Sequence, residues 1–173
     1  ITAASVRIGD GTGGAFTHTL TLGSGTNTFQ ADTINIGSAG SATRSGGTLV
    51  FDGADTTGSL TIRATDGASR AALNMVNTTG STTGDMTSTI NLAGHTADVL
   101  ISALTMASRS INTGAATATF TFDQGTLNVT TLTMANRTGS GTGNATATVN
   151  LGDSAAPGVP TTIIGSLGMA INT

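Results

Sequence analysis

At 173 residues the chain has room for one domain, and 37% hydrophobic content keeps it out of the disordered class despite only 9% charged residues. A net charge of −3 with no basic stretch excludes a nucleic-acid partner held through phosphate contacts. The apolar runs are a few residues long, too short to span a membrane.

Gly supplies 25 residues, Thr and Ser together about 30% of the chain, and Lys, Glu, Trp, Tyr and Cys are absent. Thr, Val, Ile and Phe favour strands, whereas Gly, Asn, Asp and Ser favour turns, so the composition predicts an all-β fold. Absence of Cys suits an extracellular bacterial polymer and many cytosolic proteins alike. Ile1 stands where an initiator Met would, the mark of a processed chain or a piece of a longer one.

Two strand types alternate along the chain. The first reads Thr-apolar-Thr/Asn-apolar: Thr19 to Leu22, Thr48 to Phe51, Thr89 to Leu92, Thr119 to Phe122 and Thr148 to Leu151. The second includes Ser5 to Ile8, Thr33 to Ile36, Ser59 to Ile62, Ala103 to Met106, Thr131 to Met134 and Ser166 to Met169. Period-two alternation marks half-buried strands, apolar residues inward and Thr or Asn outward. Between the types lies a shorter apolar point at Phe29, Val99, Leu127 or Val159.

Spacing turns this pattern into an architecture. Leu73 to Leu92 and Leu132 to Leu151 share 12 of 20 residues without a gap. First-type strands recur at intervals of 29, 41, 30 and 29 residues, counted at Leu20, Leu49, Ile90, Phe120 and Val149. Like residues at equal intervals predict parallel, in-register coils, since one such repeat cannot bury an apolar face alone. The expectation is a single parallel β-solenoid over residues 1–173, with coils of about 28–30 residues and five to six coils in all. The long step is assigned to an insertion between Thr61 and Asn74, where Leu73-Asn74-Met75 competes with Ser59 to Ile62 for the strand. Gly-rich tracts at residues 9–14, 37–47 and 138–144 fit turns, and so do Pro157 and Pro160.

No cap is legible at either end, although a bare terminal coil exposes a sheet edge and an open core. Val6, Ile8, Leu167 and Met169 are therefore the candidate end-to-end interface. The expected partner is self, stacked head to tail, or adjoining coils of the same polypeptide.

Gly46 to Phe51 with Gly58 to Ile62, and Gly125 to Val129, resemble the repeats of bacterial autotransporter passengers and related surface β-helix proteins. The resemblance implies secretion or a cell-surface location, a right-handed parallel β-helix, and a role as adhesin, matrix component or fibre. The chain departs from that pattern in having no C-terminal membrane barrel and no Tyr.

The chemistry-bearing residues are sparse. Asp10-Gly11-Thr12-Gly13-Gly14 is similar to Ca²⁺-binding glycine-aspartate turns, but the required repetition is missing. Asp10, Asp52, Asp123 and Asp153 accordingly read as turn residues, with Ca²⁺ the one cation worth considering and no cofactor expected. His18 and His95 lie in different coils without Cys, which argues against zinc. Asp52 and Asp55 are spaced to share a face, but that spacing is common by chance and no G-x-S-x-G elbow is present, so no enzyme is expected. Arg109 and Arg137 occupy equivalent places; they read as solvated turn residues, with a role in subunit contact as the alternative.

The outward rows are the sharpest feature: Thr19, Thr21, Thr48, Thr89, Asn91, Thr119, Thr121, Thr148 and Asn150. Stacked coil on coil, they would form a regular array of hydroxyls and methyls that resembles the ice-binding faces of Thr-rich solenoid antifreeze proteins. The expected function is an extracellular structural protein of a fibre, sheath or adhesin. A binding module for ice or glycan is the alternative, and a polysaccharide-acting enzyme comes third.

Overall fold

The computed structural model describes residues 1–9, 15–39, 44–54, 57–78, 84–110, 114–139, 142–152 and 160–169. The expected positions Asp10 to Gly14, Asp55, Asp153, Pro157 and Val159 lie outside the described residues. The described chain is all-β: β1 Thr2–Ile8, β2 Ala15–Leu22, β3 Thr26–Ala39, β4 Arg44–Phe51, β5 Ser59–Arg63, β6 Ala71–Thr78, β7 Met86–Asn91, β8 Thr96–Arg109, β9 Ala116–Phe122, β10 Gln124–Met134, β11 Ala145–Leu151 and β12 Thr161–Met169. The chain alternates between two sheets. One runs β1-β3-β5-β8-β10-β12, with β6 also bridging β3 and β8; the other runs β11-β9-β7-β4-β2. Every paired strand is parallel, so the molecule is a β-solenoid whose sheets are built one coil at a time.

Register follows the repeat. In the first sheet Val6, Ile34, Leu73, Leu104, Leu132 and Leu167 stack in one column, and Ile8, Ile36, Met75, Met106, Met134 and Met169 in the next. In the second sheet Leu20, Leu49, Ile90, Phe120 and Val149 form a third column. Pleating sends alternate side chains inward, and a one-residue slip would turn a whole column to solvent. That penalty fixes the register. The core made by these columns is continuous from the first coil to the last.

The insertion resolves differently from the sequence expectation. Ser59 to Ile62 does not take the place of Thr33 to Ile36; Ile62 pairs with Phe29 and Val99, whereas Leu73 pairs with Ile34 and Leu104. β5 and β6 are two halves of one level, split by an excursion over residues 64–70. Its turn is held by Ala64 N donating to Ser69 O at 2.9 Å and by Asp66 Oδ1 accepting from Ala68 N and Ser69 N. Asp32, on the coil below, accepts from both the amide and the hydroxyl of Thr65. Phe29, Val99 and Leu127 lie in the first halves of long strands, Ile62 is their missing member, and on β12 the place is taken by Thr162.

Each coil leaves the first sheet through a left-handed corner. Gly9, Gly37, Val76, Ala107 and Ala135 occupy equivalent places, with φ of 76°, 64°, 50°, 54° and 52°. Side chains rarely accept this conformation, and a β-branched one such as Val76 least of all. The first two corners demand glycine for a second reason. A Cβ on Gly9 would strike the carbonyl of Gly46, and one on Gly37 would strike the Ser88 hydroxyl and lie 3.1 Å from Ser45 O. Those hydroxyls are buried and satisfied, Ser45 donating to Gly9 O and Ser88 to Ile36 O. Among the described residues no helix is long and apolar enough to cross a membrane.

Candidate functional site

The second sheet presents the outward rows. Thr19, Thr48, Thr89, Thr119 and Thr148 are in register on five successive strands, an unbroken row of threonines. Beside it run Thr21, Val50, Asn91, Thr121 and Asn150, with Asn150 Nδ2 donating to Thr121 Oγ1 at 3.2 Å. All nine outward residues expected from sequence share this face. Strand geometry sets the mesh at about 4.8 Å along a row and about 7 Å between rows.

A third row flanks the first on its other side and was missed by the sequence reading. Thr17 pairs with Gly46, and Thr87, Thr117 and Thr146 stand in register with one another. Its signal was legible as Thr two residues upstream of the central Thr, in THTLT, TSTIN, TATFT and TATVN. Across the three rows the residues are Thr, Asn, Val and Gly, without a charge or an aromatic ring.

The first sheet differs. Its outward rows mix Ser5, Thr33, Ala72, Ala103, Thr131 and Ser166 with Arg7, Asn35, Asn74, Thr105, Thr133 and Gly168. Side chains there tie coils together: Asn74 donates to Asn35 at 3.0 Å, Arg63 pairs with Asp98, and Arg70 reaches Ile101 O, Asn128 O and Asn128 Oδ1.

The two ends of the solenoid are unequal. On the last coil Leu167 is 53% exposed, Met169 61% and Leu151 45%, although their columns are fully buried in the middle coils. On the first coil Val6 and Ile8 are 8% and 6% exposed, tucked inward, and the apolar surface there is carried by Ile1 and Phe16. Between β1 and β2 opens a cleft of about 430 Å³ lined by Val6, Ile8, His18 and Leu20 among others. So Leu167 and Met169 protrude, while Val6 and Ile8 floor a recess.

The remaining candidates separate. His18 is exposed on β2, whereas His95 is buried, stacked on Phe51 with ring centroids 3.8 Å apart and its Nδ1 3.1 Å from Gly58 O. Among the described residues no group of three His, Cys, Asp or Glu could hold a metal ion. Asp52 is exposed and accepts from Ala54 N; Asp123 is buried and accepts from Gly94 N at 2.7 Å. Both act as turn residues. A cleft of about 240 Å³ opens beside His95, lined also by Phe51, Asp52 and Asn91.

Arg109 corrects an expectation. It does pair with Arg137 across coils, but it is 2% exposed rather than solvated. β8 continues two residues past its left-handed corner at Ala107, which carries the guanidinium inward until Nη1 lies 2.8 Å from where a Cβ on Gly143 would stand. Among the described residues Nε, Nη1 and Nη2 have no hydrogen-bond partner. Desolvation pulls its pKa below the ordinary arginine value; Asp85 opposes that pull and Arg137 adds to it. No family model, curated protein or solved structure matches the chain.

Proposed function

We propose that this chain is an extracellular structural protein, a β-solenoid segment of, or subunit in, a bacterial fibre, sheath or adhesin extended by stacking coil on coil. One observation carries the reading: the core columns run out at Leu151, Leu167 and Met169 with their apolar surface uncovered. Exposed apolar patches at the open end of a ladder mark an interaction site, because covering them adds burial and pairs a free backbone edge. The role is mechanical. Parallel pairings join each coil to the next in both sheets, so a pull along the axis is borne by backbone hydrogen bonds at every step, and few charges oppose assembly. Electron microscopy of the native material, with sedimentation of the purified chain, tests the proposal. Filaments with an axial repeat of whole coils support it; single dispersed particles at all concentrations reject it.

A second reading rests on the unbroken row Thr19, Thr48, Thr89, Thr119 and Thr148. A flat, uncharged mesh of hydroxyls and methyls suits an ordered water lattice. A glycan suits it less, since sugar faces are held by aromatic rings and this face has none. Ice shaping and arrest of ice growth by the purified chain are the readouts, and normal ice growth removes the reading.

A further inference from the structure

The exposed columns at one end and the recess at the other define a specific joint, and this inference rests on the coil-stacking reading above. We infer that a second copy of this chain docks head to tail, β12 of one copy pairing in parallel with β1 of the next, and β11 with β2. The pairing would be in the register that already relates every coil to its neighbour. Extending the columns by one step places Ser166 opposite Ser5, Leu167 opposite Val6, Gly168 opposite Arg7 and Met169 opposite Ile8. In the second sheet it places Ala145 opposite Phe16, Thr148 opposite Thr19 and Leu151 opposite Leu22.

Four observations select this occupant and this direction. First, the members meeting at the joint continue columns that are packed throughout the molecule, so the interface repeats the one between internal coils. Second, the shapes match: exposed Leu167 and Met169 meet the cleft floored by Val6 and Ile8, and exposed Phe16 meets small Ala145. Third, the one charge on β1, Arg7, falls opposite a glycine, where a side chain finds room. Fourth, among the described residues β11 and β12 each have a single strand neighbour, and neither strand contains a charge or a proline. Edge strands not meant to be paired are normally blunted by such residues.

Head-to-tail contact is heterologous, so it does not close and propagates into a filament. It joins two ready-made edges by strand addition. The central row of five threonines would then continue from copy to copy through Thr148 and Thr19.

Cysteine pairs read the register, and the absence of native Cys leaves no background. Ser5 and Ser166 are both exposed. Parallel neighbours in register sit at about 4.8 Å, within the Cα separation of about 4.4–6.8 Å that a disulfide accepts. The variant Ser5→Cys/Ser166→Cys, oxidised in dilute solution after assembly, should give a ladder of covalent dimers, trimers and longer species on a denaturing gel. The displaced pair Ser5→Cys/Thr161→Cys, also exposed, should give at least tenfold less. Assembly of the parent chain by sedimentation, with equal cross-linking of both pairs or none of the matched pair, overturns this register and leaves end-to-end stacking standing. A parent chain that sediments as a monomer at every concentration overturns the joint and the stacking reading together.

Discussion

The left-handed corner can be measured with two glycine substitutions. Ala107 and Ala118 are both fully buried, but Ala107 sits at φ 54° and Ala118 lies in an ordinary strand. Ala118→Gly removes a buried methyl, worth about 0.8 kcal/mol, and frees the unfolded chain by a further ~0.5–1 kcal/mol. The expected loss is about 1.5 kcal/mol. Ala107→Gly suffers the same two losses but releases ~1–2 kcal/mol of left-handed strain, so its net effect is near zero. Urea unfolding followed by circular dichroism separates them. With a slope of ~1–3 kcal/mol per molar, the Ala118→Gly midpoint should fall by about 0.5–1.5 M and the Ala107→Gly midpoint should stay within ~0.3 M. Gly37→Ala runs the comparison backwards: it adds the strain and drives a methyl into the Ser88 hydroxyl, and should cost more than either. Equal midpoint shifts for Ala107→Gly and Ala118→Gly would refute the corner as a store of strain.

Three further outcomes follow from named contacts. Arg109→Met should raise stability by ~1–4 kcal/mol in calorimetry, because an apolar side chain replaces a buried guanidinium that has no hydrogen-bond partner among the described residues; a lower Tm would mean that the guanidinium is held after all. The carboxyl of Asp32 is pulled below its ordinary value of 3.8 by the Thr65 hydroxyl and then its amide, and that of Asp66 by the Ser69 hydroxyl and then backbone amides. Depressed carboxyls contribute stability that is complete above the unfolded value and lost as pH falls through the folded one. The 64–70 turn should therefore stay ordered down to pH 3.8 and loosen only below it, as read by carbon-detected NMR titration of the two carboxyls. Thr119→Lys, inside the middle row, should leave stability within about 0.5 kcal/mol, as surface changes usually do. The same variant should abolish any arrest of ice growth; arrest that survives it assigns the activity elsewhere.

Much of the fold was legible because packing made it so. Leu20, Leu49, Ile90, Phe120 and Val149 recur at 29 or 30 residues in every step but one, and period-two alternation says which way each points. The insertion was not legible. Ser59-Leu60-Thr61-Ile62 has the right alternation for either half of a long strand, and only contact with Phe29 and Val99 decides between them. Arg109 was misjudged for a related reason. A charged residue just after a strand reads as a solvated turn position, and the corner that turns it inward is formed by Ala107, a residue with no preference for a left-handed conformation. The difference between the ends was equally hidden, because Val6 and Leu167 belong to one column and differ only in what surrounds them.

The second sheet reverses the usual relation between inside and outside. Its inward column holds Leu, Leu, Ile, Phe and Val, a varied set, since any apolar residue of suitable size packs. The outward column beside it holds threonine five times. Copying of a repeat alone would leave both columns equally alike, and strand propensity alone would accept Val, Ile or Tyr at the outward places. The first sheet shows how loosely outward places are held when only folding is at stake, with Ala72, Ala103 and Gly168 among them. The uniform row is thus one observation in favour of the proposed water-ordering face, and it stands beside an outward row that does vary, as Thr21, Val50, Asn91, Thr121 and Asn150. The head-to-tail joint proposed above would extend that face from copy to copy in the same register.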